Sequence, residues 1–197
     1  TAELTILGCG SSGGVPRIGG DWGQCDPANP KNRRRRCSVL LTRTGGAGAT
    51  QVLIDTSPDM HEQMLMAEVR HLDGVLFTHE HADHLFGLDD LRLMPFFLGH
   101  ALPVYCERIV EERIRTAFDY AFTDLEPTHE GAVPQLVFQR IDTRPFHVLG
   151  ARVIPIRSME PARLQHCAQA GFETVVSIPI RQHERLMGEV DLFFHAQ

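Results

Sequence analysis

The feature that most constrains this chain is a cluster of histidines and acids placed directly after an apolar run. The apolar residues 74–78 predict a short strand, and the pattern H-E-H-A-D-H follows at 79–84. A strand that ends here places the first two histidines in a loop, where the side chains of alternate residues point to the same place. The acid and the last histidine then stand at the start of a helix. Two metal half-sites can be built in this way.

The side chains of this cluster predict a metal centre. Imidazole nitrogens and carboxylate oxygens are the donors that hold Zn²⁺, Mn²⁺ or Fe²⁺. The candidate metal ligands are His79, His81, Asp83 and His84, and Asp83 is also the candidate catalytic residue. A single histidine of this kind is better explained by packing or exposure, but the whole pattern behind a strand favours a metal site.

The composition is that of an ordinary globular protein. The chain has 197 residues, 43% hydrophobic and 22% charged, and a formal net charge of −6. This charge makes a nucleic-acid partner unlikely. Eleven histidines fit a metal enzyme better than a structural protein. No apolar run has the length of about 18 residues that a membrane helix needs, so we expect no membrane association.

Cysteine usage indicates the cellular compartment. The five cysteines are widely spread and form no C-x-x-C pair. This pattern disfavours a disulfide scaffold and predicts reduced thiols in the cytoplasm.

Hydrophobic patterning predicts one α/β domain over residues 1–197. The predicted strands are 4–7, 38–41, 51–54, 75–77, 102–105, 136–138, 146–148, 152–156, 175–180 and 190–194. The predicted helical segments are 60–68, 85–94, 107–120, 161–170 and a turn at 182–187.

A glycine pattern after the first strand resembles a dinucleotide fingerprint. Gly8, Gly10 and Gly13 have the G-x-G-x-x-G spacing. The fingerprint needs a helix to open at once, whereas a long loop rich in proline and glycine follows here. We therefore predict a glycine turn that lets the backbone pass close to a neighbouring loop.

Asp55, at the end of another apolar run, has two interpretations. With its neighbours Thr56, Ser57 and Asp59 it could cap the following helix. It could instead accept a hydrogen bond from the far nitrogen of a metal-bound histidine. The two hypotheses are left open, and Asp89 and Asp90 are predicted to lie on a solvated helix face.

The arginine run 33–36 also has two interpretations. It could be a solvated charged surface, or one or two of its members could clamp a substrate phosphate. The candidate substrate-binding residues are Arg33 and Arg36.

Several segments together resemble one family of metal-dependent hydrolases. These segments are 5–16, 25–27, 29–36, 54–59, 81–84 and 87–92. The H-x-H-x-D-H pattern resembles the metallo-β-lactamase-fold hydrolases. The wider set is similar to the phosphodiesterases of carbon–phosphorus lyase pathways, which open a cyclic ribosyl phosphate. The resemblance is specific over residues 4–105 and thin after about 150.

The resemblance implies an αββα sandwich with two sheets packed face to face. It implies that His79 and His81 hold one metal ion and that Asp83 and His84 hold another. The implied ions are Zn²⁺ or Mn²⁺, two of them if the site is complete. The implied reaction is hydrolysis of a small cyclic or nucleotide-like phosphodiester by metal-bound hydroxide.

The second half departs from the family pattern and looks incomplete. Arg157 stands where the family has a histidine after strand 153–156, Val175 takes the place of an aspartate, and the last metal histidine has no counterpart. Asp142 and Asp191 are the remaining late aspartates, and neither is well placed; the late histidines that could substitute are His147, His166 and His195.

Three outcomes follow from this departure. The chain binds metal weakly or not at all, a second copy completes the site in a homodimer, or the late histidines fold into the site. An incomplete sheet would expose an edge that favours self-association. Two alternative functions also stay open: an impaired relative acting as a binding or structural module, and a thioester or lactam hydrolase on the same fold.

Overall fold

The computed structural model describes residues 2–46, 48–122, 136–142, 144, 146–148, 151–155, 172–182 and 185–195, and from residue 151 onward it describes the backbone. The first six strands are β1 (Ala2–Gly8), β2 (Ser38–Gly45), β3 (Gly48–Ile54), β4 (Gly74–Leu76), β5 (Leu102–Cys106) and β6 (Leu136–Arg140). The later strands are β7 (Phe146–Val148), β8 (Ala151–Pro155), β9 (Phe172–Gln182) and β10 (Arg185–His195). The α-helices are α1 (Met60–Met66), α2 (Ala82–Leu85), α3 (Met94–Leu98) and α4 (Arg108–Phe118).

The first sheet has six strands in the order β1-β2-β3-β4-β5-β6. The pairs β1–β2 and β2–β3 are antiparallel, which confirms the predicted hairpin. From β3 to β6 the neighbours are parallel. Parallel neighbours need crossover connections, and helices α1 to α4 lie within them. The loops that follow β3 and β4 therefore open at the same edge of the sheet.

The second sheet has four strands in the order β7-β8-β10-β9, with antiparallel neighbours. The predicted helical turn over 182–187 is wrong, because β9 reaches Gln182 and β10 begins at Arg185, paired with it. Two long strands in antiparallel register override the local helical preference of this segment. The predicted helix at 161–170 lies outside the described residues.

Side chains that alternate along the central strands build a core on each face of the first sheet. On one face Leu53 and Val75 pack with Met60 of α1 and Ile114 of α4. On the other face Val52, Ile54 and Leu76 pack with Val148 of β7. The rings of Tyr105 and Phe146 stack there at 5.5 Å. Helices thus cover one face of the sheet and the second sheet packs on the other, which confirms the predicted α/β sandwich of the metallo-β-lactamase type.

The segment predicted as one helix at 85–94 is broken. Helix α2 ends at Leu85, a 3₁₀ segment spans Leu88–Leu93, and α3 begins at Met94. A Cβ at Gly87 would lie 2.2 Å from the carbonyl oxygen of Ser57, so the chain passes too close to the loop after β3 to hold a larger residue. Pro95 then suits the first turn of α3 and cannot continue a preceding helix. None of the described helices is long and apolar enough to cross a membrane.

Candidate metal centre

The candidate site lies where β3 and β4 end side by side. Ile54 and Leu76 are parallel partners, and the amide of Asp55 donates to the carbonyl of Leu76 at 2.9 Å. Asp55 is 2% exposed and has a left-handed backbone, with φ of 61°. Its neighbour Thr56 donates to the carbonyl of His84 at 2.8 Å. These bonds tie the loop after β3 to the histidine cluster.

The predicted ligands come together around the start of α2. His81 precedes the helix, and the amide of His84 donates to its carbonyl at 3.0 Å. The ring centroids of His79 and His81 are 4.7 Å apart, and those of His79 and His84 are 4.0 Å apart. The Oδ2 atom of Asp83 lies 3.4 Å from Nε2 of His84. All four predicted ligands therefore share one small region.

Asp55 touches the histidine cluster directly. Its Oδ2 atom accepts a hydrogen bond from Nδ1 of His84 at 2.6 Å. A proton on Nδ1 leaves Nε2 of His84 as the lone-pair donor, facing Asp83. The N-cap residue of α1 is Asp59, and its side chain makes no cap bond. The geometry therefore favours the supporting role of Asp55 over helix capping, and its part in metal binding stays a prediction.

Charge and burial shift the ionisation of the cluster. Burial by itself disfavours the imidazolium of His84, but the hydrogen bond to Asp55 and the charges of Asp55 and Asp83 together outweigh burial and raise the pKa of His84. Burial, followed by the charge of His84, lowers the pKa of His79. Burial and then the charges of Asp55 and Asp83 raise the pKa of the Cys37 thiol to about 11. The charges of Asp55 and Asp83 thus favour a positive charge on His84 and add to the effect of burial against a thiolate at Cys37.

The side chains of the site are of the types that bind divalent metal ions, but they do not complete a coordination shell. Among the described residues, no group of three or more His, Cys, Asp and Glu side chains is arranged so that it could hold an ion by itself. The contacts instead join pairs, most clearly Asp83 with His84. Structural zinc sites normally use four donors, so each pair needs further ligands.

The predicted substrate-binding arginines have different surroundings. Arg36 donates from Nε and Nη2 to the carboxylate of Asp59, at 2.9 and 2.5 Å. The charge of Asp83 also acts on Arg36, after the hydrogen bond to Asp59, and the pKa of Arg36 is raised. The guanidinium of Arg33 lies 5.5 Å from the ring centroid of Trp22. Arg36 is therefore held by Asp59, within the influence of the charge of Asp83, while Arg33 packs on the loop.

Two residues of the site were not predicted from the sequence. Thr78 donates from its amide and its hydroxyl to Asp55, at 2.8 and 2.7 Å. Its position directly before the first histidine was the available signal. Asp59 was grouped with possible caps, although its carboxylate binds Arg36. An ion pair across 23 residues leaves no local pattern in the sequence.

Among the late candidates, only Asp142 has a described side chain. Asp142 accepts from the amide and the side chain of Arg144. His147, Asp191 and His195 lie on strands β7 and β10. His166 and Arg157 lie outside the described residues. Val175 is paired with Phe193 between β9 and β10.

Asp89 does not stand alone on a solvated face. Its carboxylate accepts from Nε of Arg92 at 2.7 Å and from the hydroxyl of Tyr120 at 2.5 Å. These two hydrogen bonds lower the pKa of Asp89. The group ties the 3₁₀ segment after α2 to the end of α4, while Asp90 is exposed as predicted.

Comparison with known proteins gives one family and several structural neighbours. The model of the β-lactamase superfamily domain matches residues 50–185. A crystal structure described as a new diphosphatase from the PhnP family is 36% identical, with a TM-score of 0.67, and the match covers 79% of this chain and 57% of that chain. Zn²⁺-bound PqqB from Methylobacterium extorquens is 18% identical with a TM-score of 0.56, and the match covers 95% of this chain and 57% of that one.

A curated relative has a different name. A protein called octanoyltransferase from Porphyromonas gingivalis (strain ATCC BAA-308 / W83) is 36% identical over 154 residues. The match covers 78% of this chain but only 30% of that protein. The name of the whole protein therefore does not identify the activity of the matched part. Since the family model spans well over half of the chain and the fold agrees, the protein belongs to the β-lactamase superfamily domain family and has the metallo-β-lactamase fold.

Proposed function

We propose that this protein is a metal-dependent phosphodiester hydrolase acting on a small cyclic or nucleotide-like phosphodiester. The observation that carries the proposal is the alignment of His84 between two carboxylates, with Nδ1 2.6 Å from Asp55 and Nε2 3.4 Å from Asp83. A histidine held on one side by a buried carboxylate, with its other nitrogen beside a second carboxylate, is typical of a metal ligand. The 36% identity to the PhnP-family diphosphatase supports a phosphorus-containing substrate.

In this proposal His79 and His81 hold one ion, and Asp83 and His84 hold the other. Bound Zn²⁺ or Mn²⁺ would supply a water of lowered pKa and polarise a phosphoryl oxygen. The chain itself contributes orientation, because Asp55 fixes the ring of His84. It also contributes positive charge, because Asp59 holds Arg36, whose charge interacts with that of Asp83.

The substrate-binding part of the proposal rests on Arg36 and Arg33. The pair with Asp59 uses Nε and Nη2 of Arg36 and limits its side-chain motion. A guanidinium fixed in this way loses little entropy when it contacts a phosphate. Arg33, exposed and lying over Trp22, offers a second cation and an aromatic surface for a nucleoside-like group.

The test is a substrate panel on protein purified without chelator and supplied with Zn²⁺ or Mn²⁺. We expect turnover of a bis-aryl phosphodiester that depends on added metal and is lost in Asp83→Ala. A thioester and a β-lactam should be cleaved at background rate. Faster thioester or lactam cleavage would favour the alternative hydrolases, and bound metal without any turnover would favour a binding module.

Two further parts of the proposal concern partners and location. A homodimer and a cytoplasmic location stay predictions. A strictly monomeric species in sedimentation at tens of micromolar would count against the dimer.

A further inference from the structure

Thr78 lies between the buried carboxylate of Asp55 and the first histidine of the motif. Its hydroxyl oxygen is 2.7 Å from Oδ2 of Asp55 and 3.0 Å from Nδ1 of His79. Its amide also donates to Oδ1 of Asp55 at 2.8 Å. Two hydrogen bonds to one carboxylate fix where the hydroxyl can lie. The oxygen of Thr78 is therefore a bridge from Asp55 to His79.

The direction of each hydrogen bond follows from counting protons. An ionised carboxylate only accepts, and a threonine hydroxyl has one proton to donate. Because that proton goes to Asp55, the oxygen of Thr78 must accept from His79, so Nδ1 of His79 carries a proton. Nδ1 of His84 donates to the same oxygen of Asp55. In each ring the lone pair then lies on Nε2.

We propose that Thr78 is a positioning residue that places His79 under the control of the same carboxylate that orients His84. Asp55 acts on His84 directly and on His79 through the hydroxyl. The inference rests on the proposed metal site, in which these two histidines belong to different ions. One buried carboxylate would thereby set the tautomer and ring orientation in both halves of the centre.

A purely structural role for Thr78 makes a different prediction. If the hydroxyl only satisfied the buried Asp55, its removal would lower stability and leave the protonation pattern of His79 unchanged. If it is the bridge, its removal alters His79 while His84 keeps its own bond to Asp55. The tautomers of the two rings therefore separate the roles.

The experiment uses nitrogen-15 NMR of the histidine rings in the full metal-free chain, at a pH where both rings are neutral. We expect the wild-type chain to show the Nδ1–H tautomer for both His79 and His84. Thr78→Ser should keep both, whereas Thr78→Val should lose the Nδ1–H preference at His79 alone. Thr42→Val is the matched control, because the Thr42 hydroxyl accepts from Gln51 at 3.3 Å and does not touch a motif histidine.

A second measurement counts bound zinc and its affinity in the same variants. We expect Thr78→Val to weaken one of two zinc sites by about 10–100-fold and Thr78→Ser to restore it. An Nε2–H tautomer at His79 in the wild type, or an unchanged His79 in Thr78→Val, would overturn the inference. The wild-type spectrum decides even if Thr78→Val does not fold. Failure of the wild-type chain to bind zinc would refute the metal centre itself and is separate from the tautomer result.

Discussion

Asp55 holds the ring of His84 through a hydrogen bond of 2.6 Å, although 29 residues separate them in the chain. The contact depends on the fold, because β3 and β4 are parallel neighbours and their ends meet at one edge of the sheet. The backbone of Asp55 is left-handed, with φ of 61°, a conformation that residues with a side chain rarely adopt. Such strain persists where surrounding contacts impose it, and here it turns the carboxylate toward the histidine cluster.

Replacing this carboxylate by an amide should weaken metal binding. In Asp55→Asn the side chain keeps its size, but only one of its two terminal groups can still accept a hydrogen bond. We expect zinc affinity to fall about 10–100-fold, as is usual when a supporting carboxylate is removed. Competition with a chromophoric chelator measures this. An affinity equal to that of wild type would show that Asp55 is purely structural.

The pair of Arg36 and Asp59 should make stability depend on pH. The hydrogen bond from Arg36 lowers the pKa of Asp59 in the folded chain, relative to about 3.9 in the unfolded chain. A lowered folded-state pKa gives stability that is fully present above the unfolded value and is lost as pH falls through the folded value. Asp59→Asn should therefore lower the free energy of unfolding by about 1–3 kcal/mol at neutral pH.

The same difference should shrink as pH falls below the unfolded-state pKa of about 3.9 and through the lowered pKa of Asp59 in the folded chain, where the folded carboxylate becomes protonated. Urea unfolding of both proteins in the presence of chelator, at neutral and at acidic pH, measures it. A difference that stays constant across this range would mean that the charge of Asp59 does not stabilise the fold.

Arg36 can be tested as a substrate-binding residue separately from its structural role. Arg36→Gln removes the positive charge that interacts with Asp83, whereas Asp59→Asn breaks the ion pair and keeps that charge. If Arg36 binds the phosphate, Arg36→Gln should raise KM for a phosphodiester by about tenfold, since each 1.4 kcal/mol of lost binding is tenfold. Asp59→Asn should raise KM less. Equal effects on KM in both variants would show that Arg36 has only a structural role.

The glycine turn after β1 gives a prediction about packing. A Cβ at Gly8 would lie 2.0 Å from the carbonyl oxygen of Arg36 and 2.5 Å from Nε2 of Gln63. We expect Gly8→Ala to lower the free energy of unfolding by about 1–3 kcal/mol, the usual cost of overpacking. Gly46→Ala is the control, since none of the described atoms lies within 4 Å of a Cβ there. Similar unfolding midpoints for the two variants would contradict the close approach.

The sequence indicated the grouping of the candidate ligands well because these residues are local. His79 to His84 occupy one loop and the start of a helix, so their grouping follows from six consecutive residues. The glycine turn was also predicted correctly, because Gly8 and Gly10 pack closely against the backbone at residues 34–36. The first feature is local in sequence, and the second is indicated by residue type, because only glycine leaves room for so close an approach.

The features that sequence reasoning missed depend on tertiary contacts. The ion pair of Arg36 with Asp59 and the bond of Thr78 to Asp55 each join residues 23 positions apart. The break in the segment 85–94 arises because Gly87 packs against Ser57. The hairpin of β9 and β10 replaced a predicted helical turn because strand pairing outweighs local propensity. Each outcome was set by a partner distant in sequence.

The central claim is that the histidine cluster holds divalent metal, and metal content tests it most directly. Mass spectrometry should be applied to the full chain purified without chelator and reconstituted with Zn²⁺, beside Asp83→Ala and the exposed control Asp90→Ala. We predict bound zinc in the wild type and in Asp90→Ala, and a clear loss of zinc in Asp83→Ala. No zinc in the reconstituted wild type, or the same zinc content in all three proteins, would contradict the account.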